Sequence, residues 1–474
     1  MGIKTKLSIF IFLFFLINIA ICREETDPEL KTCKHQCHQQ RQYDEHDKRI
    51  CMKECDEYHE MKQEREKHKE DKDDEKEVEN PYVFEYKDFD TILDTEDGRI
   101  SVLNMFDQKS KLLRNVENYG LAVLEAKAHA FVSPHHFDSE VIFFNMKGRG
   151  IIGLVEEDNT ERFNLEAGDI IRVPAGTPIY LVNRDENEKL FIAALHMPSS
   201  PGSAPLNFEA FFGPAGRNPE SVLTAFSSKV LQAAFKTSKG KLESVLEEQK
   251  KERIFKIRKE DVHGMAPKKS IWPFGGQFNG PFNIFSNKPS FSNQFGSLFE
   301  IGPSESKSGL EGLNVMLSFA NITKGSMSTI YYNTNANKIA FVVDGEGYFE
   351  MACPHYMSSR SDSKHRKSSG AYHKINARLR PGMVFVVPAG HPFVTIASKN
   401  NNLKIVCFEV NAQRNKKLAF AGKKNIVLAL DKTAKELAFD LAAEKVDEMF
   451  KRDEEFFFSY NVDESKEDRG HADV

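Results

Sequence analysis

Along residues 80–460 the apolar positions fall in short runs that alternate with polar ones and stop at Gly, Pro, Asn or Asp. A period of two buries one face of a strand, and turn signals at regular spacing join such strands into a barrel or sandwich. The pattern is written twice. One copy runs from Tyr119 to Leu195 and the other from Leu313 to Val410, the second interrupted by a polar, basic insert, MSSRSDSKHRKSSG, from Met357 to Gly370. The turns KGRG and DGEG mark equivalent points of the two copies, as do RVPAGTPIYLVN, from Arg172, and VVPAGHPFVTIA, from Val386. A duplicated β-barrel is expected, with the insert as a mobile loop open to proteases.

Helical spacing takes over after each copy. Val222, Leu223, Phe226, Val230, Leu231 and Ala234 recur on one helical face, behind Asn218 as a candidate N-cap and Pro219 in the first turn. Ala434, Leu437, Ala438, Leu441 and Val446 repeat the idea in the second half. Such stripes need a surface to cover them, either their own barrel or a neighbouring subunit.

The N-terminus reports on the compartment. Lys4 and Lys6, an apolar run from Leu7 to Ile21 and small residues near Ala20 and Cys22 have the form of a secretory signal peptide over residues 1–22. The run is short for a membrane span, so the mature form is expected to be soluble, with a retained anchor as the alternative. Cys33, Cys37, Cys51 and Cys55 form two C-x3-C pairs. Each pair lies one helical turn apart on one face, so two antiparallel helices could be stapled twice, Cys33 to Cys55 and Cys37 to Cys51. Zinc is the competing use of these residues, but an oxidising compartment favours disulfides. His59 to Glu77 is nearly all charge and reads as a solvated helix or a linker.

Composition narrows the classes. A chain of 474 residues suits two domains with extensions, and 40% hydrophobic residues with 38 Phe supply full cores. A net charge of -5 argues against a nucleic-acid partner.

The two G-x5-P-x-G phrases, Gly168 to Gly176 and Gly382 to Gly390, resemble the second signature of the cupin superfamily. The wider text, including NPYVFEYKDFDTILDTEDGRISVLNMF, GPFNIFSNKPSFSNQFGSLFEI and KELAFDLAAEKVDEMF, is similar to vicilin-type seed storage globulins over nearly all of Asn80 to Tyr460. The resemblance implies a mainly β bicupin. Two cupin (double-stranded β-helix, or jelly-roll) barrels, at 80–250 and 296–462, each carry a helical extension. A disulfide-linked helical hairpin with its charged linker covers 23–79, a linker and arm cover 251–295, and a polar tail covers 463–474. The resemblance also implies a homotrimer joined through the helical extensions and deposition in the storage vacuoles or protein bodies of seed. Gly168, Pro174, Gly176, Gly382, Pro388 and Gly390 are then structural turn residues.

Metal-dependent cupins use a His-x-His pair, a Glu and a third His three residues after the last Gly of the second signature. Ile179 and Phe393 stand at that last position. The first barrel offers His135, His136 and Glu140 in PHHFDSE, but adjacent strand residues face opposite sides, so at most one His points inward. A polar pair at the barrel rim is expected there, and no catalytic residue in either barrel. In the second barrel YFEMACPH places Phe349, Met351, Cys353 and His355 on one face. With His391 from the signature turn, Cys353 and His355 form a thiolate and imidazole set suited to copper or zinc; the alternative is a core cysteine near ordinary histidines. The resemblance adds Tyr82, because some vicilins carry a metal at this Cys-x-His position with a tyrosine from the N-terminal arm. Cys407 reads as core, and Asn321 heads an Asn-Ile-Thr sequon for glycosylation.

Taken with the missing ligands, the resemblance implies a nutrient reservoir mobilised by proteolysis and no enzyme. The alternatives are a sugar-binding relative, a defence protein whose hairpin, Lys31 to Tyr58, is released as an antimicrobial or protease-inhibiting peptide, and a metal-dependent cupin enzyme.

Overall fold

The computed structural model describes residues 28–39, 44–67, 80–103, 106, 111–156, 159–197, 209–213, 221–246, 252–267, 279–305, 308–353, 372–451 and 457–460. The signal segment 1–22, His355, the insert 357–370, Asn218 with Pro219, and the tail 463–474 lie outside these residues. Two compact units result, the N-terminal hairpin and the body that holds both barrels.

The hairpin consists of helix α1, Pro28–Gln39, and helix α2, Glu45–Lys67. Asp44 starts α2: its Oδ1 accepts the backbone N–H of His46 and of Asp47, which satisfies donors that a helix start leaves open. Cys33 is bridged to Cys55 and Cys37 to Cys51. The four half-cystines are buried, with Leu30 and Met52 packed against them. So small an apolar core cannot hold two helices together, and covalent staples do that instead. Both C-x3-C pairs are consumed by disulfides, which removes the zinc alternative.

The first barrel closes from two sheets. One has the strand order Phe282–Asn283, Asp169–Val173, Glu140–Lys147, Leu190–Met197, Gly120–Ala126, Gly98–Leu103, Asp90–Thr95. The other runs Glu209–Phe211, Ala130–Phe137, Ile179–Asn183, Gly150–Glu156, Asn159–Leu165, with Ile254–Lys256 also on Ala130–Phe137. Inward residues such as Val132, Phe143, Ile152, Leu181 and Ile192 form one apolar core. The second barrel repeats the plan, with Asn337–Asp344 and Leu403–Val410 central in one sheet and Gly347–Cys353 and Phe393–Ala397 central in the other.

Each barrel borrows an edge strand from the segment that precedes the other. Val83–Phe84, ahead of the first barrel, pairs antiparallel with Val384–Val387 of the second, Val83 opposite Phe385. Phe282–Asn283, ahead of the second barrel, pairs with Asp169–Val173 of the first, Phe282 opposite Ile170. A paired edge leaves no row of open backbone donors, so the exchange protects both sheets and ties the barrels together. Phe144 of the first barrel stacks on Phe319 of the second at 6.1 Å, and Phe285 meets Phe319 edge-on at 5.1 Å.

The signature turns do equivalent work. Gly168 and Gly382 sit at φ +90° and +87°, where a side chain is strained, and donate their N–H to Asn145 O and Val342 O. Gly176 and Gly390 likewise donate to Phe137 O and Asn333 O.

The extensions differ from single helices. After a 3₁₀ turn, Val222–Ala225, helix α3, Ser228–Phe235, is capped by Ser227 Oγ and ends at Lys236 in the left-handed region; α4, Lys239–Leu246, follows. Helix α6, Lys432–Phe439, is capped by Asp431 and ends at left-handed Asp440, before α7, Ala443–Phe450. Between them in the chain, α5 is the single turn and a half Lys259–Gly264. The left-handed residues break each stripe into two short helices.

Candidate functional site

The interior of the first barrel holds a polar group inside an apolar wall. His135, on Ala130–Phe137, is 3% exposed, while its neighbour His136 faces outward against Phe212. One histidine of the pair points inward, as strand geometry demands, but it lies deep in the barrel and not at the rim. Its Nδ1 donates to Ser133 O at 2.8 Å, which leaves Nε2 as an acceptor 3.7 Å from Glu209 Oε1. Glu209 is paired with buried Arg253. Across Phe137 lies His196, 1% exposed, bonded through Nδ1 to Ser139 Oγ at 3.1 Å. Burial pushes both imidazoles down to about 3, with Arg253 adding to the effect at His135, so both are neutral near pH 7. Among the described residues, no group of three His, Cys, Asp or Glu ligand atoms converges here. The cavity these side chains border measures about 40 Å³.

The corresponding positions of the second barrel carry different chemistry. His135 lies opposite Ile179 and Tyr331 lies opposite Phe393, so Tyr331 takes the place of His135; by the same register Glu409 takes the place of His196. Glu409 is fully buried. Its Oε1 accepts Lys338 Nζ at 2.7 Å, Lys417 Nζ at 3.1 Å and Ser318 Oγ at 2.9 Å, and Lys417 also pairs with Glu300. Burial alone would raise the Glu409 carboxyl, but the two ammonium groups outweigh it and hold it at about 2. Lys338 is correspondingly raised, Cys407 and Glu409 overcoming its own desolvation. In the first barrel the equivalent positions, His135 and His196, border the cavity. Ile179 and Phe393, at the position of the third cupin histidine, are both buried among core side chains.

At the other flank of the second barrel two of the expected metal ligands meet. Tyr82 arrives on the arm beside the borrowed strand, its carbonyl accepting Val386 N at 2.8 Å, and its hydroxyl lies 3.3 Å from Cys353 Sγ. Both side chains are fully buried. His391 is 9% exposed in the signature turn, with Nδ1 3.1 Å from Ala389 O. Cys407 is buried and unbridged within the second barrel, as a core residue would be. Asn321 lies half-buried near the end of strand Val315–Ile322, 3.5 Å from Asn402 Nδ2.

His196, Glu209, Arg253, Lys338, Glu409 and Lys417 were not singled out from the sequence. For His196, Glu209, Lys338 and Glu409 the signal was present: each is ionisable and stands in a strand with a buried apolar residue two positions away.

Comparison with known proteins fits this architecture. The Cupin family matches residues 96–241 and 282–447, one match per barrel. The sucrose-binding protein of Glycine max is 56% identical over 95% of this chain and 92% of its own. Vicilin Jug r 6.0101 of Juglans regia is 49% identical over 97% of each chain. The crystal structure of hazelnut vicilin, from Corylus avellana, superposes with a TM-score of 0.72 at 47% identity, over 81% of this chain and all of that one. Two cupin barrels, an N-terminal disulfide hairpin and these relatives place the chain in the cupin family as a bicupin, vicilin-type seed storage globulin.

Proposed function

We propose that the protein is a nutrient reservoir, assembled as a homotrimer in seed storage vacuoles and mobilised by proteolysis. The observation that carries this reading is the apolar face left open on both extensions. Phe226, Val230, Phe235 and Val245 are exposed on the first, and Leu430, Leu437, Leu441 and Met449 on the second, with Leu437 at 81%. Surfaces of this kind mark interfaces. Because the two extensions are built alike, the first of one copy can meet the second of the next, and a head-to-tail contact of that type closes into a ring when three copies complete one rotation. Within such a ring the compact barrels resist proteases, and the insert 357–370 is the place of first cutting. Light scattering on the purified protein tests the assembly. Three protomers are expected for the native chain and a monomer for Leu437→Asp/Met449→Asp, while a monomeric native chain refutes it. Glycosylation belongs to the same reading, with Asn321 as acceptor, modified before its strand folds; a mass decrease on glycosidase treatment that is absent in Asn321→Gln checks it.

The second barrel is also proposed to hold a copper or zinc ion, with Tyr82, Cys353, His355 and His391 as ligands. The buried phenol and thiol, 3.3 Å apart, support this, since ligands of one tetrahedral zinc lie about 3.6 Å apart at ordinary bond lengths. A soft thiolate beside imidazole suits either ion. Elemental analysis of the native protein and of Cys353→Ser is the test: metal retained in the variant, or absent from the native protein, removes the site.

A second reading, sugar binding, is favoured by the 56% identity with a protein named for sucrose. It is tested by direct titration with sucrose.

A further inference from the structure

We propose that a polar basin formed by three turns at one end of the first barrel is a binding site for a neutral, hydroxyl-rich ligand of disaccharide size; the inference rests on the sugar-binding reading above. Volume separates two cavities of the first barrel. The cavity inside the first barrel, about 40 Å³, holds roughly one water. The basin measures about 610 Å³, within the roughly 300–1,000 Å³ of small-molecule sites.

The basin is set before any ligand arrives. Its walls are the turns Gly148–Arg149, Glu166–Ala167 and Arg184–Glu188. Beneath them Asn183, fully buried, donates from Nδ2 to the carbonyls of Ala126, Lys127 and Glu188 at 2.8 to 3.0 Å, and its Oδ1 accepts Asp185 N at 2.9 Å. Asp185, 6% exposed, accepts both the backbone N–H and the Nε of Arg149, at 2.8 and 2.6 Å. Fixing a loop in this way lowers the ordering cost of binding. The second copy lacks this residue: Ala397 ends the strand that Asn183 ends in the first, and its turn is tied instead through Asn402 Oδ1, which accepts Lys324 N at 3.0 Å.

The chemistry of the lining selects the ligand class. Two guanidinium groups, Arg149 and Arg184, face four carboxylates, Glu166, Asp185, Glu186 and Glu188, so an anion is repelled. Three of those carboxylates are already engaged, Asp185 with Arg149, Glu166 with Arg184 and Glu186 with Lys259, which disfavours a bare cation. What remains is a surface of interleaved donors and acceptors, completed by Asn187 and Glu188, that matches hydroxyl groups able to do both. The lining has no aromatic ring to stack a sugar on, so affinity is expected on the order of millimolar, about 4 kcal/mol.

The test is titration of the full chain with sucrose, followed by saturation-transfer NMR, with inorganic phosphate and calcium as comparison ligands. Asn187→Ala/Glu188→Ala removes exposed groups from the basin and leaves Asn183 and Asp185 in place. Saturable sucrose binding, weakened about tenfold in this variant at an unchanged melting temperature, is the expected result. Sucrose binding of undiminished strength in the variant overturns the basin and leaves the sugar reading standing. No saturable sucrose binding by the native chain overturns both, and phosphate or calcium competing with sucrose refutes the ligand class.

Discussion

Acid should loosen the first barrel before the second. His135 and His196 are neutral and buried, with imidazoles held at about 3 against an ordinary value of 6.5. In the unfolded chain each accepts a proton near 6.5, whereas the folded barrel refuses it until near 3. Their contribution is therefore complete above pH 6.5 and drains away as the pH falls from there towards 3. One pH unit is worth 1.36 kcal/mol per group, so at about pH 5 each histidine costs about 2 kcal/mol and the pair about 4. That is a large part of a domain stability of roughly 5–15 kcal/mol. The groups facing His135 pull in opposite directions, Glu209 favouring the imidazolium and Arg253 opposing it. Glu409 behaves differently. Its carboxyl is held at about 2 against 4.5, so its contribution persists until the pH drops below 4.5. Between 6.5 and 4.5 the loss belongs to the first barrel.

Hydrogen exchange measured by mass spectrometry separates the barrels, because it reports opening strand by strand. From about pH 7.5 to about pH 5, after correction for intrinsic rates, amides of Ala130–Phe137 and Leu190–Met197 should lose about 4 kcal/mol of protection while those of Asn337–Asp344 change little. In His135→Gln/His196→Gln the difference should vanish. Equal loss in both barrels, or a ring proton of His135 or His196 titrating near 6.5 in the folded protein, would refute the reasoning.

Three further outcomes follow from the packing. Gly168→Ala combines a φ of +90° with a new β-carbon 2.4 Å from the Phe285 ring, whereas Gly382→Ala at +87° meets open space. The first should therefore lower the thermal midpoint clearly more than the second, whose loss is backbone strain of about 1 kcal/mol. Lys338→Met leaves Glu409 buried with half its compensation and should cost about 3–5 kcal/mol in urea unfolding, part of which Lys338→Met/Glu409→Leu restores. Reduction of the two disulfides should open residues 28–67 to proteases while the barrels stay intact, since the half-cystines are most of the hairpin core.

What the sequence made legible was local. A period of two, the repeated VPAG turns and the C-x3-C spacing each fix geometry within a few residues, and barrels, turns and disulfide pairing followed from them. The borrowed strands were not legible, because Val83–Phe84 and Phe282–Asn283 are two residues long and find their partners far along the chain. The inner polar groups were hidden for a related reason. His196 and Glu409 sit in strands that read as core, and only barrel closure brings them to Ser139 and Lys338. The hidden part is also where the two copies diverge most. Turns, arm exchange and extensions are kept, so the shared fold depends on them. The inner positions are not kept: two neutral histidines beside a small cavity in one barrel answer to a lysine–glutamate–lysine cluster in the other. Each histidine has a partner in Ser133 or Ser139, and Glu409 has its lysines, as buried polar groups require. Function in this fold is therefore to be sought where partnering alone does not explain the residues: the open helical faces, the Tyr82–Cys353 contact, and the Asn183 framework under the polar basin.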